Sequence, residues 1–154
     1  MTLTILLVED SDEDFLAFQR AFQHANMSHP IQRCTKGDEA LDYLYRRGRY
    51  AAARDQPLPA LILLDLNLPG ADGRSVLSTI KGDPQLACIP VIIVTSSANP
   101  KDIDTCYQNG ANSYLVKSVN FLKFRQQIGV LTDYWLNVAQ LPGNQDVLGY
   151  CFVK

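Results

Sequence analysis

Four apolar runs in this sequence each end in a side chain that can do chemistry. LTILLV leads into Glu9 and Asp10, LILL into Asp65, PVIIV into Thr95, and NSYLV into Lys117. Three carboxylates held close repel one another and take up protons unless a cation neutralises them. An all-oxygen set suits a hard divalent ion, and Mg²⁺ keeps several waters that an incoming phosphate can displace. A carboxylate beside such a cation is also a nucleophile toward phosphorus, and the product is an aspartyl phosphate. Its three phosphoryl oxygens then need partners. Mg²⁺ serves one, Lys117 another, and the Thr95 hydroxyl with nearby backbone amides the third. On this reading Asp10 and Asp65 are the direct metal ligands, and Asn67 adds its backbone carbonyl. Glu9 orients water behind them.

The elements that must position these groups follow from hydrophobic patterning. Strands are expected at residues 3–8, 30–34, 61–65, 90–95 and 112–117, several of them apolar throughout, as strands buried on both faces are. Between them the sequence reads as helices. Ser11 precedes Asp12, Glu13 and Asp14, an N-cap with acids in the first turn. Asp12 is also a lesser candidate for reaching an ion through water. Phe15, Leu16, Phe18, Phe22 and Ala25 make the apolar face of this helix. Further helices are expected at 38–47, 75–81 and 102–108, and a long one from Asn120 onward. Five βα units call for a parallel sheet with right-handed crossovers and helices on both faces. In a doubly wound α/β sheet of order 2-1-3-4-5, strands one, three, four and five are neighbours, so the acids, Thr95 and Lys117 converge on one crevice.

Taken singly, each residue has a plainer reading. Asp65 alone is an ordinary loop cap, Thr95 and Ser96 are helix caps, and Lys117 is a surface charge. The combination of acids on strands one and three, threonine on four and lysine on five is hard to explain that way.

Composition narrows the function classes. At 154 residues, 47% hydrophobic and 19% charged, the chain reads as one soluble domain able to bury its own core. A net charge of −2 argues against general nucleic-acid binding. No apolar run reaches membrane-spanning length, and the first strand starts too early to leave room for a signal peptide. Cys34, Cys88, Cys106 and Cys151 share no C-x-x-C spacing, so zinc and a disulfide framework are not expected; reduced thiols in the cytoplasm are. The long 48–60 connection reads as a solvated loop away from the acids, with Arg46, Arg47, Arg49 and Arg54 able to form a basic partner patch.

With these motifs assembled, the chain resembles response-regulator receiver domains over about residues 3–130. VED at 8–10, LLDLNLPGADG at 63–73, VTSS at 94–97 and YLVK at 114–117 carry the resemblance. It implies the flavodoxin-like (β/α)5 fold, and it makes Asp65 the acceptor of a phosphoryl group from a histidine kinase, with Mg²⁺. Thr95 and Lys117 become the switch and phosphate-binding residues, and Tyr114 the aromatic that turns inward on activation. Receivers usually follow the lysine with proline; Ser118 stands there instead, which leaves the conformation of that loop open. The long 48–60 connection, the Lys117-Ser118 pair and DYWLNVAQLP near the end are similar to the stand-alone receivers of cyanobacterial phytochrome kinases.

Residues 1–140 are expected to form the receiver with an extended last helix, and 141–154 a short tail in place of an effector domain. Output then runs through protein contacts. From Asn120 to Gln140 a helix extends about 30 Å, longer than a strand of ~17–20 Å beside it. Phe124, Ile128, Leu131, Trp135 and Val138 lie on its apolar stripe, and Trp135, Val138 and Leu141 overhang the sheet. They meet either the tail at 146–153 or a second copy. The resemblance favours a homodimer through this region. Two other classes compete. An FMN carrier of the same topology needs a phosphate cradle where this chain has VEDSDED, and a phosphorylation-independent adaptor would not need the intact site.

Overall fold

A computed structural model describes residues 3–142. Five strands, β1 (Ile5–Val8), β2 (Ile31–Cys34), β3 (Leu61–Leu64), β4 (Val91–Thr95) and β5 (Ser113–Val116), form one parallel sheet in the order β2-β1-β3-β4-β5. Five helices alternate with them: α1 (Asp12–His24), α2 (Gly37–Leu44), α3 (Gly73–Gly82), α4 (Pro100–Gln108) and α5 (Phe121–Asp133). The α/β class and strand order are those expected.

Strand side chains alternate between faces, so each strand feeds two cores. Leu6, Val8, Ile62, Leu64, Val91 and Ile93 pack under α2 and α3, against Ala40, Leu44, Val76, Leu77 and Ile80. Ile5, Leu7, Leu61, Leu63, Ile92 and Val94 face the other way, onto Phe18 and Phe22 of α1 and Phe124, Ile128 and Leu131 of α5. Phe18 and Phe124 meet edge to face, 5.2 Å between ring centres. Burying a side chain of this size stabilises the fold by about 1.5–3 kcal/mol. Leu16, by contrast, is exposed; it lies off the α1 core face to which the periodicity assigns it.

Capping sets the helix starts. The Ser11 side chain accepts from the Asp14 amide at 3.1 Å, and Asn99 accepts from Lys101 ahead of Pro100. This advances α4 by two residues relative to the sequence expectation. Helix α2 stops at Leu44, short of the expected Arg47. Arg46 turns left-handed (φ 55°) and points its guanidinium inward, donating to the carbonyls of Tyr43, Gln56 and Pro57. The next connection contains a 3₁₀ segment, Gly48–Ala53, held by Tyr50 packed edge to face on Tyr43. The lesser reading of this segment, a basic patch of its arginines, is not met as such. Arg46 is buried, Arg47 pairs with Asp42, and Arg49 binds Glu39 and Tyr50.

Helix α5 also departs from expectation. It does not run on as an α-helix to Gln140 but widens into a π turn, Tyr134–Val138, closed by the Ala139 amide on the Tyr134 carbonyl. The expected packing of residues 146–153 lies outside the described residues. Cys34 and Cys106 are free and buried, and Cys151 lies outside the described residues.

Candidate functional site

Sheet register delivers the site residues to one edge. The Asp65 amide bonds the Val8 carbonyl, so β1 and β3 run level to the point where Glu9 and Asp65 emerge. The Lys117 amide bonds the Thr95 carbonyl at 2.7 Å, which ties the ends of β4 and β5 together. Behind Asp65 the chain must pass very close to α3. A Cβ on Gly73 would lie 2.1 Å from the Asp65 carbonyl oxygen, so only glycine fits there.

The ammonium of Lys117 sits at the centre. Its Nζ is 2.8 Å from Glu9 Oε2, 2.9 Å from Asp65 Oδ2 and 2.9 Å from Asp14 Oδ2. The other Asp65 oxygen accepts from the Leu66 amide at 2.7 Å and, more weakly, the Asn67 amide at 3.4 Å. Thr95 is fully buried beside them.

These contacts divide the charges. Burial raises the Glu9 carboxyl to about 8, and the Lys117 charge only partly offsets this. Burial also pushes Asp65 upward, but the Lys117 ammonium, with donors from Glu9 and Thr95, outweighs it and holds Asp65 below the usual carboxylate range. Lys117 is raised despite its burial, by Glu9, Asp14 and Asp65. Glu9 is thus the carboxyl of the mouth that takes up a proton most readily, and Asp65, beside the charged lysine, the one that ionises most readily.

Oxygens of Glu9, Asp10 and Asp65 lie within 4.8 Å of one another, with Asp10 on the solvent side. That donor set and spacing suit a hard divalent cation. Asn67 is exposed on the loop after Asp65. Tyr114 points inward, its hydroxyl donating to the Ser97 carbonyl at 2.8 Å.

Three partners escape the sequence reading. Asp14 has a sufficient explanation there as a first-turn acid, and no local signal marks it as a partner of Lys117. Arg33 donates to the Glu9 carbonyl, pairs with Asp12 at 2.8 Å and lies over the Phe15 ring, pinning the β1–α1 loop. The Asp12 side chain is itself 93% exposed. Gln127 donates to the Val116 carbonyl and accepts from the Ser118 amide, fixing the loop where receivers usually carry proline.

The family model described as "Response regulator receiver domain" matches residues 5–129. The chain belongs to this family. Among relatives of the receiver is the response regulator Rcp1 of a Synechocystis species, 38% identical over 138 residues, covering 90% of this chain and 92% of Rcp1. The protein named probable methanogenesis regulatory protein FilR2, from Methanothrix harundinacea, is 37% identical over 90% of this chain and 87% of its own. The receiver also superposes on the phosphorylated cyanobacterial phytochrome response regulator RcpA with a TM-score of 0.86. The two are 39% identical, across 93% of this chain and all of RcpA. The Mn²⁺-bound form of Rcp1 gives a TM-score of 0.85 at 38% identity, over 92% of this chain and 99% of its own.

Proposed function

We propose that this receiver is a phosphorylation switch in which Asp65 accepts a phosphoryl group from a histidine kinase of the phytochrome type. The observation that carries the reading is the Asp65 carboxylate, fixed 2.9 Å from Lys117 and grouped with Glu9 and Asp10 at the sheet mouth. An Asp65 oxygen attacks phosphorus as the bond from phosphorus to the donor imidazole breaks. Lys117 neutralises one phosphoryl oxygen, and the Thr95 hydroxyl and the Asn67 amide supply further donors. Asp10, Asp65 and the Asn67 carbonyl would hold Mg²⁺, which would supply charge neutralisation for the transferred group. Water later attacks the same phosphorus as its bond to the Asp65 oxygen breaks, releasing inorganic phosphate and restoring the carboxylate, so the chain catalyses its own resetting without being a conventional enzyme.

The partner assignment draws on Rcp1 and RcpA, and on a groove beside the site. Leu16, Ala17 and Arg20 of α1 line it together with Val119 and Phe121, and Lys117 is part of the same lining. Leu16, Val119 and Phe121 are exposed apolar residues, which suits a kinase helix presenting its histidine to Asp65. No described helix is long and apolar enough to cross a membrane, and a cytoplasmic location fits a kinase partner. With labelled phospho-kinase, wild type takes up label and Asp65→Asn does not; equal labelling of both overturns the assignment.

Output runs through protein contacts of the receiver, without nucleic acid. We propose a homodimer through the end of α5. Phe124, Ile128 and Leu131 are spent in the core of their own protomer, which removes them from the expected interface. Val130, Tyr134 and Val138 remain exposed around the half-buried Trp135, beside Leu115. Trp135→Ala then lowers the apparent mass in solution; an unchanged dimer rejects this interface.

A further inference from the structure

We infer that Asp14 is a positioning residue for phosphoryl transfer, the fixed anchor that keeps the Lys117 ammonium in place while its other partners change. This rests on the reading of Asp65 as the phosphoacceptor. An ammonium has three N–H donors, and Lys117 directs them to three carboxylates at 2.8–2.9 Å. Two of those, Glu9 and Asp65, belong to the oxygen group suited to a divalent cation. Asp65 is also the reacting atom's carrier: once esterified, its anionic oxygen becomes a weaker acceptor. Asp14 is outside that group and unchanged by the reaction.

Its own placement is firm. The Asp14 amide is bound to the Ser11 side chain at 3.1 Å, which fixes the first turn of α1 under the lysine. The Asp14 carboxylate is 42% exposed, against 2% for Glu9 and 9% for Asp65, so it holds Nζ from the solvent side. Without it, one N–H of Lys117 turns to water and the side chain gains freedom to leave the pocket. The first turn of α1 is thereby coupled to the reacting group, on the same helix that borders the groove for the kinase.

The test compares rates of phosphorylation by acetyl phosphate at saturating Mg²⁺. Asp14→Ala lowers the rate constant by about fivefold, the size of a partly exposed ion pair. Asp14→Glu restores it. Glu13→Ala, which removes a first-turn acid without touching Lys117, leaves it unchanged and separates positioning from the helix dipole. In a Lys117→Ala background Asp14→Ala has no further effect. An Asp14→Ala rate equal to wild type, or the same loss with and without Lys117, overturns the inference. Absence of phosphorylation in wild type instead overturns the Asp65 reading. In that event the ¹⁵N–¹H signal of the Lys117 ammonium still decides: faster exchange with water in Asp14→Ala supports the anchor, and an unchanged signal rejects it.

Discussion

Gln127 grips the strand end that carries Lys117: its amide nitrogen donates to the Val116 carbonyl at 3.0 Å, and its oxygen accepts from the Ser118 amide at 3.2 Å. A proline at 118 has no such N–H to offer. The serine is therefore used, and a side chain from α5 fixes the loop. Gln127→Leu leaves both backbone groups without this partner and is expected to cost about 1–3 kcal/mol in urea unfolding. Full stability in the variant contradicts this role.

Gly73 governs how Asp65 is presented. Any side chain there meets the Asp65 carbonyl at 2.1 Å and the Leu66 Cα at 2.6 Å, both backbone atoms that cannot step aside. Gly73→Ala is expected to lower stability by about 3 kcal/mol, at the upper end of ordinary overpacking. A melting temperature within a degree or so of wild type shows instead that the loop can yield.

Glu39 should make stability fall in acid. It accepts from the Thr35 amide and hydroxyl, from the Tyr50 hydroxyl and from Arg49. Burial opposes its ionisation, but these donors outweigh it and depress the carboxyl below its ordinary 4.5. The ionised form is favoured by folding, so the contribution is complete above 4.5 and is lost as pH falls through the lower folded value. Melting temperatures of wild type and Glu39→Gln should differ at pH 7 and converge as pH falls through the depressed folded value. A constant gap across that range excludes the linkage.

Tyr114 ties β5 to the loop after β4 through its bond to Ser97, and Ser97 continues to Asp102 at 2.7 Å and from there to Arg74. Tyr114→Phe removes the first link only. It is expected to cost about 1 kcal/mol and to speed amide hydrogen exchange at residues 96–99. Unaltered exchange there breaks the proposed connection between Tyr114 and this loop.

Much of this is legible in the sequence because the three central strands are buried on both faces. Continuous runs such as Leu61–Leu64 and Val91–Thr95 stand out, and the polar residue at the end of each run falls at the sheet mouth. The features that escape depend on contacts between distant segments. The end of α2 is set by Arg46 finding carbonyls at Gln56 and Pro57, which no local propensity records. Asp14 looks like any first-turn acid until β5 brings Lys117 beside it, 103 residues along the chain. The apolar stripe of α5 is visible as a stripe, yet its period cannot tell Ile128, fully buried, from an interface residue.

The most direct test of the phosphoacceptor assignment is the intact mass after incubation with acetyl phosphate, with and without Mg²⁺, for wild type and Asp65→Asn. The account predicts a gain of one phosphoryl group in wild type that requires Mg²⁺ and is absent from the variant. No gain in wild type, or an equal gain in Asp65→Asn, contradicts it.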